Sequence, residues 1–303
     1  MRLASPKIVD CAENTGVVEK TSLPTIVRFV AVPLGNAADL SPRARAALEG
    51  ADVLFCEDTR KTRDLAERAG MTLAARLVAL PGDRESETPF ANFPGGAWAF
   101  CSDAGTPVVN DPGRALLRWC REREIAVEAV PGPSAPILAW QWSGGFGLPF
   151  VFAGFPPRFK SSANLDFRDF FAPAKQAGTF CFFESKHHLP TTLRALADSE
   201  FRESRIHIAR EMTKPHEELI SGSVGEVAAL IESRLAADDR FGEATVLLEG
   251  RREAGGGAGI AVEDLFALRR AAPKEAAKIL ARLSGLAVKE VYDRLVREGK
   301  ESS

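Results

Sequence analysis

The sequence predicts an α/β protein: a largely parallel sheet in the first half of the chain, a second α/β region after it, and a helical tail. Three observations carry this reading. Short β-branched and aromatic runs alternate with helix-length segments of mixed polarity. Gly- and Pro-rich stretches follow those runs, and in an open parallel sheet the ligands bind at the carboxyl ends of strands. The cluster Gly144-Gly145-Phe146-Gly147 punctuates the chain near its middle and marks a domain junction.

Each element follows from local chemistry. Ile26, Val27, Phe29, Val30 and Val32 make residues 25–32 the first strand, which stops at Pro33-Leu34-Gly35-Asn36. Ser41 before Pro42 is an N-cap with proline at the first helical position, so a helix opens there and runs to Gly50. A strand at 52–56 ends in Glu57-Asp58-Thr59-Arg60, a charged helix follows at 61–69, and Gly70 closes it. Further strands are expected at 76–80, at 98–101 before Ser102-Asp103-Ala104-Gly105-Thr106-Pro107, and at 126–130 before Pro131-Gly132-Pro133-Ser134-Ala135, with a helix at 114–123. The second region is expected to hold strands at 150–153, 178–183, 205–209 and 244–248, and helices near 188–198 and 224–235. Residues 253–259, with three consecutive glycines, look like a linker. Helices at 274–283 and 287–297, broken by Ser284-Gly285, close the chain. The expected organisation is a flexible leader at 1–24, an N-terminal α/β domain at 25–146, a C-terminal α/β domain at 147–252 and a basic helical tail at 260–303.

Composition narrows the class. The 303 residues exceed the usual single core of about 100–200 residues. With 45% hydrophobic and 26% charged residues this is the composition of a soluble globular protein. There is no run of eighteen apolar residues, so no membrane span is expected. The first twenty residues lack an apolar export stretch, which reads as a cytoplasmic protein. The five cysteines form no C-x-x-C pair and the four histidines no i, i+4 pair, so no metal site is expected. Cys56, Cys101 and Cys181 sit in apolar runs and are expected to be buried thiols. A formal net charge of −2 argues against binding by charge alone. The balance is uneven, however: residues 269–300 hold nine Lys and Arg against four Asp and Glu, as a phosphate-contacting tail or a solvated helix face would.

Several common chemistries are excluded. No G-x-G-x-x-G follows the first strand, and neither a P-loop nor a G-x-S-x-G elbow occurs. What remains is a set of small-residue turns at strand ends. The stretches from Asp103 to Pro107 and from Pro131 to Ala135 offer backbone N–H groups with little side-chain bulk, so a ligand can approach the main chain closely. The same turns also suit a plain strand-to-helix connection, and the residues alone leave both readings open.

Ordered blocks decide further. Pro33-Leu34-Gly35-Asn36-x-x-Asp39-Leu40, Glu57-Asp58-Thr59-Arg60-x-Thr62 and Ser102-Asp103-Ala104-Gly105-Thr106-Pro107-x-x-x-Asp111-Pro112-Gly113 come first. Pro131-Gly132-Pro133-Ser134-Ala135, Gly154-Phe155-x-Pro157, Phe183-Glu184-Ser185, Ala209-Arg210-Glu211-x-Thr213-Lys214-x-x-Glu217 and Gly242-Glu243-x-x-Val246 follow. In this order they resemble the ribosomal RNA small subunit methyltransferase I family of the tetrapyrrole methylase superfamily. The resemblance implies two α/β domains with S-adenosylmethionine in the cleft between them, a homodimer, and 2′-O-methylation of a cytidine ribose in the decoding region of 16S ribosomal RNA in the small subunit. It implies cofactor contacts from Pro33, Gly35, Ser102, Asp103, Ala104, Gly105, Pro131, Ser134, Ala135 and Glu211. Substrate contacts would come from Thr59, Arg60 and Lys214.

Catalytic candidates are Asp58, Glu57 and Glu184, with His187 beside them, because the 2′-hydroxyl proton must be removed. Asp58 also suits a helix cap, and Arg60 suits a phosphate, whose geometry guanidinium matches. Departures from the family's pattern thin the positive charge. Val32 replaces a threonine, Pro81-Gly82-Asp83-Arg84-Glu85-Ser86-Glu87 replaces a His- or Asn-containing segment, His188 replaces an arginine, and Ser161-Ser162-Ala163-Asn164 replaces an arginine pair. Two alternatives stay open at this point: a methylase of a small molecule or other substrate on the same fold, and a non-catalytic RNA-binding or assembly factor.

Overall fold

A computed structural model of the chain describes residues 23–80, 82, 88–157, 167–237, 242–250, 273–284, 288–289 and 291–293. Residues 1–22 of the expected leader, the linker at 253–259, the departures at 83–87 and 161–164, and most of the last expected helix lie outside the described residues. The chain divides into two compact units: residues 1–141 with 209–218, and residues 142–208 with 219–303. The break falls a few residues before the glycine cluster. The short return of 209–218 to the first unit has no counterpart in the expected domain limits.

The first unit is built on five strands: β1 (Pro24–Val30), β2 (Val53–Cys56), β3 (Arg76–Ala79), β4 (Gly96–Cys101) and β5 (Val127–Val130). Their order is β3-β2-β4-β1-β5, and every pairing is parallel. Helix α1 (Pro42–Glu49) starts where Ser41 Oγ accepts the Ala44 N–H at 3.1 Å, as the Ser-Pro signal predicts. Helix α2 (Thr59–Arg68) starts two residues earlier than expected, because Asp58 caps it. Helix α3 (Arg114–Arg121) follows β4. Helix α4 (Ala135–Ser143) was not expected: Ala-Pro-Ile-Leu-Ala-Trp-Gln-Trp is apolar on every side, so it shows no 3.6-residue period to detect.

The sheet is covered on both faces, which is why its strands read as unbroken apolar runs. Val30, Leu54, Cys56, Ala99 and Cys101 point into one core. Val27, Phe29, Val53, Phe55, Trp98 and Phe100 point into the other. There Phe55 meets the Phe90, Phe93 and Trp98 rings at 5.1–5.6 Å, and Trp98 stacks on Trp119 at 5.5 Å. Edge-to-face and offset contacts of this kind are the favoured aromatic geometries.

The second unit holds a mixed sheet of β6 (Phe150–Phe152), β7 (Thr179–Glu184), β8 (Arg205–Arg210), β9 (Glu218–Ser223) and β10 (Ala244–Glu249), in the order β6-β7-β10-β8-β9. Strand β7 runs parallel to β6 and antiparallel to β10. Its described helices are α5 (Phe167–Phe171), α6 (Leu189–Ala197), α7 (Val224–Ala237) and α8 (Pro273–Ser284). Strand β9 was not expected, since Glu-Leu-Ile-Ser-Gly-Ser buries only one apolar side chain deeply. Phe171, Phe180, Phe182, Leu193, Ile206, Ile231 and Val246 centre the core. In the tail, Ala277, Ala281 and Val291 bury one another in a small core of their own.

Cys56, Cys101 and Cys181 are buried free thiols, as the apolar runs predict, and Cys120 joins them. Burial pushes Cys120 and Cys181 up to about 12, so neither is reactive near neutrality. Among the described residues no helix is long and apolar enough to cross a membrane. No group of His, Cys, Asp or Glu among them could hold a metal ion.

Candidate active site

The strand order reverses between β1 and β4. From β1 the chain crosses β4 to reach β2, and from β4 it crosses β1 to reach β5. Loops leaving two adjacent strands in opposite directions open a crevice at their carboxyl ends. The β1 and β4 loops are joined at that point: Val32 N–H donates to Gly105 O at 2.9 Å, and Gly105 N–H donates to Val32 O at 3.0 Å. Thr106 Oγ1 donates to Pro133 O at 2.9 Å and ties in the loop after β5. Gly105 has φ +73°, and a Cβ there would lie 3.2 Å from Leu34 Cδ2. At Gly132 a Cβ would lie 2.9 Å from Ala31 Cβ. Only glycine fits either position without a shift.

Residues 211–217 join this edge from far along the chain. Asn36 N–H donates to Thr213 Oγ1 at 3.1 Å, and the Lys214 side chain occupies the space a Cβ on Gly35 would need. The segment is braced internally: Thr213 N–H donates to Glu217 Oε2 at 2.9 Å, and Lys214 Nζ pairs with Glu211 Oε1 at 3.1 Å. Among described non-glycine residues with positive φ, Val108 (72°), Asn110 (67°), Glu211 (48°) and Thr213 (64°) all lie in these loops; Glu124 is the exception. Val108 and Thr213 are β-branched, for which this conformation costs on the order of 1–3 kcal/mol each. Strain of that kind persists where surrounding contacts enforce it, and it concentrates at ligand clamps.

Beside the β1–β4 reversal, β2 and β4 deliver three carboxylates together. Cys56 and Cys101 are register partners, so the residues after them emerge side by side. Asp103 N–H donates to Glu57 Oε2 at 3.2 Å, and Asp58 N–H donates back to Asp103 Oδ1 at 3.1 Å. Lys61 Nζ pairs with Asp103 Oδ2 at 2.7 Å. Asp58 caps α2 by accepting the Arg60 N–H at 2.8 Å, and the Arg60 guanidinium forks onto the same carboxylate, at 3.1 Å to Oδ1 and 2.7 Å to Oδ2. Arg60 thereby holds Asp58 well below the usual carboxylate range. Burial pushes Glu57 the other way, upward, with the Asp103 N–H opposing. Lys61 was missed in the sequence. Its partner Asp103 lies 42 residues further on, so no local spacing signalled the pair.

With this geometry in view, comparison with known proteins is decisive. Residues 27–228 match the family of Tetrapyrrole (Corrin/Porphyrin) Methylases. The chain belongs to that family. It is 33% identical to the Ribosomal RNA small subunit methyltransferase I of Mycobacterium tuberculosis (strain ATCC 25618 / H37Rv), over 90% of this chain and 95% of that protein. It is 37% identical to the protein of the same name from Escherichia coli O157:H7, over 74% and 77%. Within the tetrapyrrole methylases the chain therefore belongs to the small subunit methyltransferase I branch. The solved structure of a cobalt precorrin-4 methyltransferase of cobalamin biosynthesis shares the fold, with a TM-score of 0.53 at 12% identity, covering 74% of this chain and 95% of that one.

Tetrapyrrole methylases are S-adenosylmethionine-dependent, and the loops of the first unit suit such a ligand. Gly105 and Gly132 let Leu34 and Ala31 pack closely on the main chain, Ala104 adds little bulk, and Pro33, Pro131 and Ser134 lie in the same three loops, with Ala135 opening α4. Ser102 is buried, with its Oγ donating to Ala104 O at 3.2 Å, so its side chain shapes the loop. Both Asp103 oxygens are already bonded, one to the Asp58 N–H and one to Lys61. Lys214 reaches the β1 loop at Gly35, and Glu211 pairs with Lys214 in the same 209–218 segment. Thr59 Oγ1 accepts from Arg63 at 3.5 Å.

Glu184 and His187 belong to the second unit. Glu184 is only 4% exposed; Oε1 accepts the Ser185 N–H at 2.8 Å and Oε2 the Thr192 hydroxyl at 2.6 Å. It ties the end of β7 to α6, and burial pushes its pKa up. His187 is exposed.

Proposed function

We propose that the chain methylates the 2′-hydroxyl of a cytidine ribose in 16S ribosomal RNA, in the decoding region of the small subunit, with S-adenosylmethionine as donor. The names of its relatives support the RNA target, and the motif blocks at 33–40, 57–62, 102–113, 131–135 and 209–217 meet at one edge of the first unit's sheet. The observation that carries the reading is the joining of the β1 and β4 loops at the strand-order reversal, Val32 to Gly105, beside the Glu57–Asp58–Asp103 carboxylates.

The cofactor supplies an electrophilic methyl group on a sulfonium sulfur. The loops holding Pro33, Gly35, Ser102, Asp103, Ala104, Gly105, Pro131, Ser134, Ala135 and Glu211 would hold it. The protein's own task is to fix the attacking oxygen and to accept its proton. Orientation of that kind contributes up to about 7–11 kcal/mol in well-aligned systems, and a general base about 10²–10⁴-fold. Arg60, whose side chain is 87% exposed, has the reach and geometry for an RNA phosphate, with Thr59 and Lys214 on the same unit. In the cell the enzyme would act as a cytoplasmic homodimer.

The test uses small ribosomal subunits from a strain lacking this gene. Incubation with the purified protein and S-adenosylmethionine should install one ribose methyl group on a cytidine, mapped by alkaline-hydrolysis resistance. Calorimetry should show cofactor binding without RNA. Cofactor binding with no methylation of subunits or free ribosomal RNA would move the assignment to a small-molecule methylase. No heat at millimolar cofactor would leave only a non-catalytic factor.

A further inference from the structure

Three carboxylates crowd one edge of the first unit, and only two have a cation bonded to them. Asp58 is forked by Arg60, which makes it a weak proton acceptor. Asp103 is bonded to Lys61 and to the Asp58 amide. Glu57 has neither: the only hydrogen bond to its carboxylate among the described residues is the 3.2 Å contact from the Asp103 N–H on Oε2. Its Oε1 is left open. The side chain is half-buried at the end of β2, so its negative charge is only partly solvated.

We propose that Glu57 is the general base for the 2′-hydroxyl and that Lys61, acting through Asp103, is the positioning residue that keeps Glu57 ionised. This rests on the RNA methyltransferase reading above. The hydroxyl O–H bond breaks as Glu57 Oε1 takes the proton. The electron pair left on oxygen would form the new O–CH₃ bond as the donor's S–CH₃ bond breaks with its pair staying on sulfur, and the carboxylic acid would then lose its proton to water.

The charge arrangement makes the division of labour specific. Glu57 faces Asp103 from the β4 loop and Asp58 and Lys61 from α2. Desolvation and the two acids raise its proton affinity, and the Asp103 amide and Lys61 oppose them. Removing Lys61 takes away the one cation among these neighbours and frees the second Asp103 oxygen. Glu57 should then bind its proton more tightly and lose its function as acceptor at neutral pH.

Two measurements test this, one of them independent of activity. In protein labelled at the glutamate carboxyl carbons, the Glu57 resonance, assigned by its loss in E57Q, should titrate above an ordinary glutamate. It should move upward in K61M and return in K61R. In single-turnover methylation, E57Q should lose about 10²–10⁴-fold in rate, the range for a general base, with cofactor affinity kept. K61M should shift the acid limb of the rate profile to higher pH in step with the titration.

An unmoved Glu57 resonance in K61M would overturn the role of Lys61. E57Q at the parent rate, with D58N impaired, would transfer the base to Asp58. If the parent protein itself methylates no RNA, the function assignment fails, while the titration still reports whether Lys61 governs Glu57.

Discussion

Gly105 is the position at which the proposed cofactor cradle is most open to test. Gly105→Ala adds one methyl group at φ +73°, 3.2 Å from Leu34 Cδ2. The left-handed conformation costs a non-glycine residue about 1–2 kcal/mol. The contact is tighter than ordinary packing, so Leu34 must give way as well. The Val32–Gly105 hydrogen-bond pair resists any relief by backbone movement. Gly70→Ala is the matched control: its φ is +60°, yet nothing lies within 4 Å of the added Cβ. Both variants should lose the conformational cost, lowering Tm by about 2–4 °C per kcal/mol for a unit of this size. Only Gly105→Ala should weaken S-adenosylmethionine binding, by roughly tenfold, the equivalent of about 1.4 kcal/mol. Scanning calorimetry and titration calorimetry read the two effects separately. Equal cofactor affinity in the two variants would refute the argument, because the loop would then be a mere turn.

Other outcomes follow from the same geometry. Arg60→Ala should weaken RNA binding about tenfold or more, as loss of a charged hydrogen bond does, and leave cofactor affinity alone; filter binding of ribosomal RNA measures it. Thr192→Val removes a hydroxyl that donates to buried Glu184, and denaturant melts should show a loss of about 1–3 kcal/mol. If Glu184 is purely structural, the methylation rate per folded molecule stays at the parent value. His207 is buried against the Phe146 ring at 4.5 Å, with Nδ1 2.7 Å from Ser221 Oγ, and burial lowers its pKa. Its folded value lies below the unfolded one near 6.5, so its contribution to stability is present above about pH 6.5 and is lost as pH falls through the lowered value. Urea midpoints between pH 5 and 7 should therefore fall less steeply in His207→Gln than in the parent.

The legible parts of this molecule were those written in local chemistry. Ser41-Pro42 announced α1, and the dense run of Ile26, Val27, Phe29 and Val30 announced a strand. The small-residue turns fell at the strand ends where they were expected, after β1, β4 and β5. The hidden parts depended on contacts across long sequence distances. Nothing near Gly35 foretells that Thr213 and Lys214 will cover it, since 177 residues separate Asn36 from its Thr213 partner. Helix α4 escaped detection because a segment apolar on every side has no polar face to set a period. Glu184 looked catalytic by type and motif, but a buried carboxylate that accepts from Thr192 and the next amide also has a purely structural use. Asp58 is the helix cap that its sequence position suggested, and its ion pair with Arg60 was not expected.

The carboxylate cluster shows how an interior ladder fixes exterior chemistry. Glu57 and Asp103 are neighbours only because Cys56 stands opposite Cys101. That register is enforced below them by Phe55 and Phe100, both fully buried, in a face where Trp98 stacks on Trp119. Moving β2 by one residue against β4 would turn every side chain to the opposite face, driving Phe55 out of its aromatic cluster. The large loss of apolar burial makes such a slip prohibitive, so the acids at the strand ends inherit a fixed spacing from a core that never touches substrate. The loops beyond them are different in kind: Val108 and Thr213 hold unfavourable backbone conformations, enforced at Thr213 by its N–H donating to Glu217 Oε2. Relieving that strain, for instance with Thr213→Gly, should raise stability only where the Thr213 hydroxyl is dispensable. Because that hydroxyl accepts the Asn36 N–H, the same change should loosen the β1 loop on which the cofactor proposal depends.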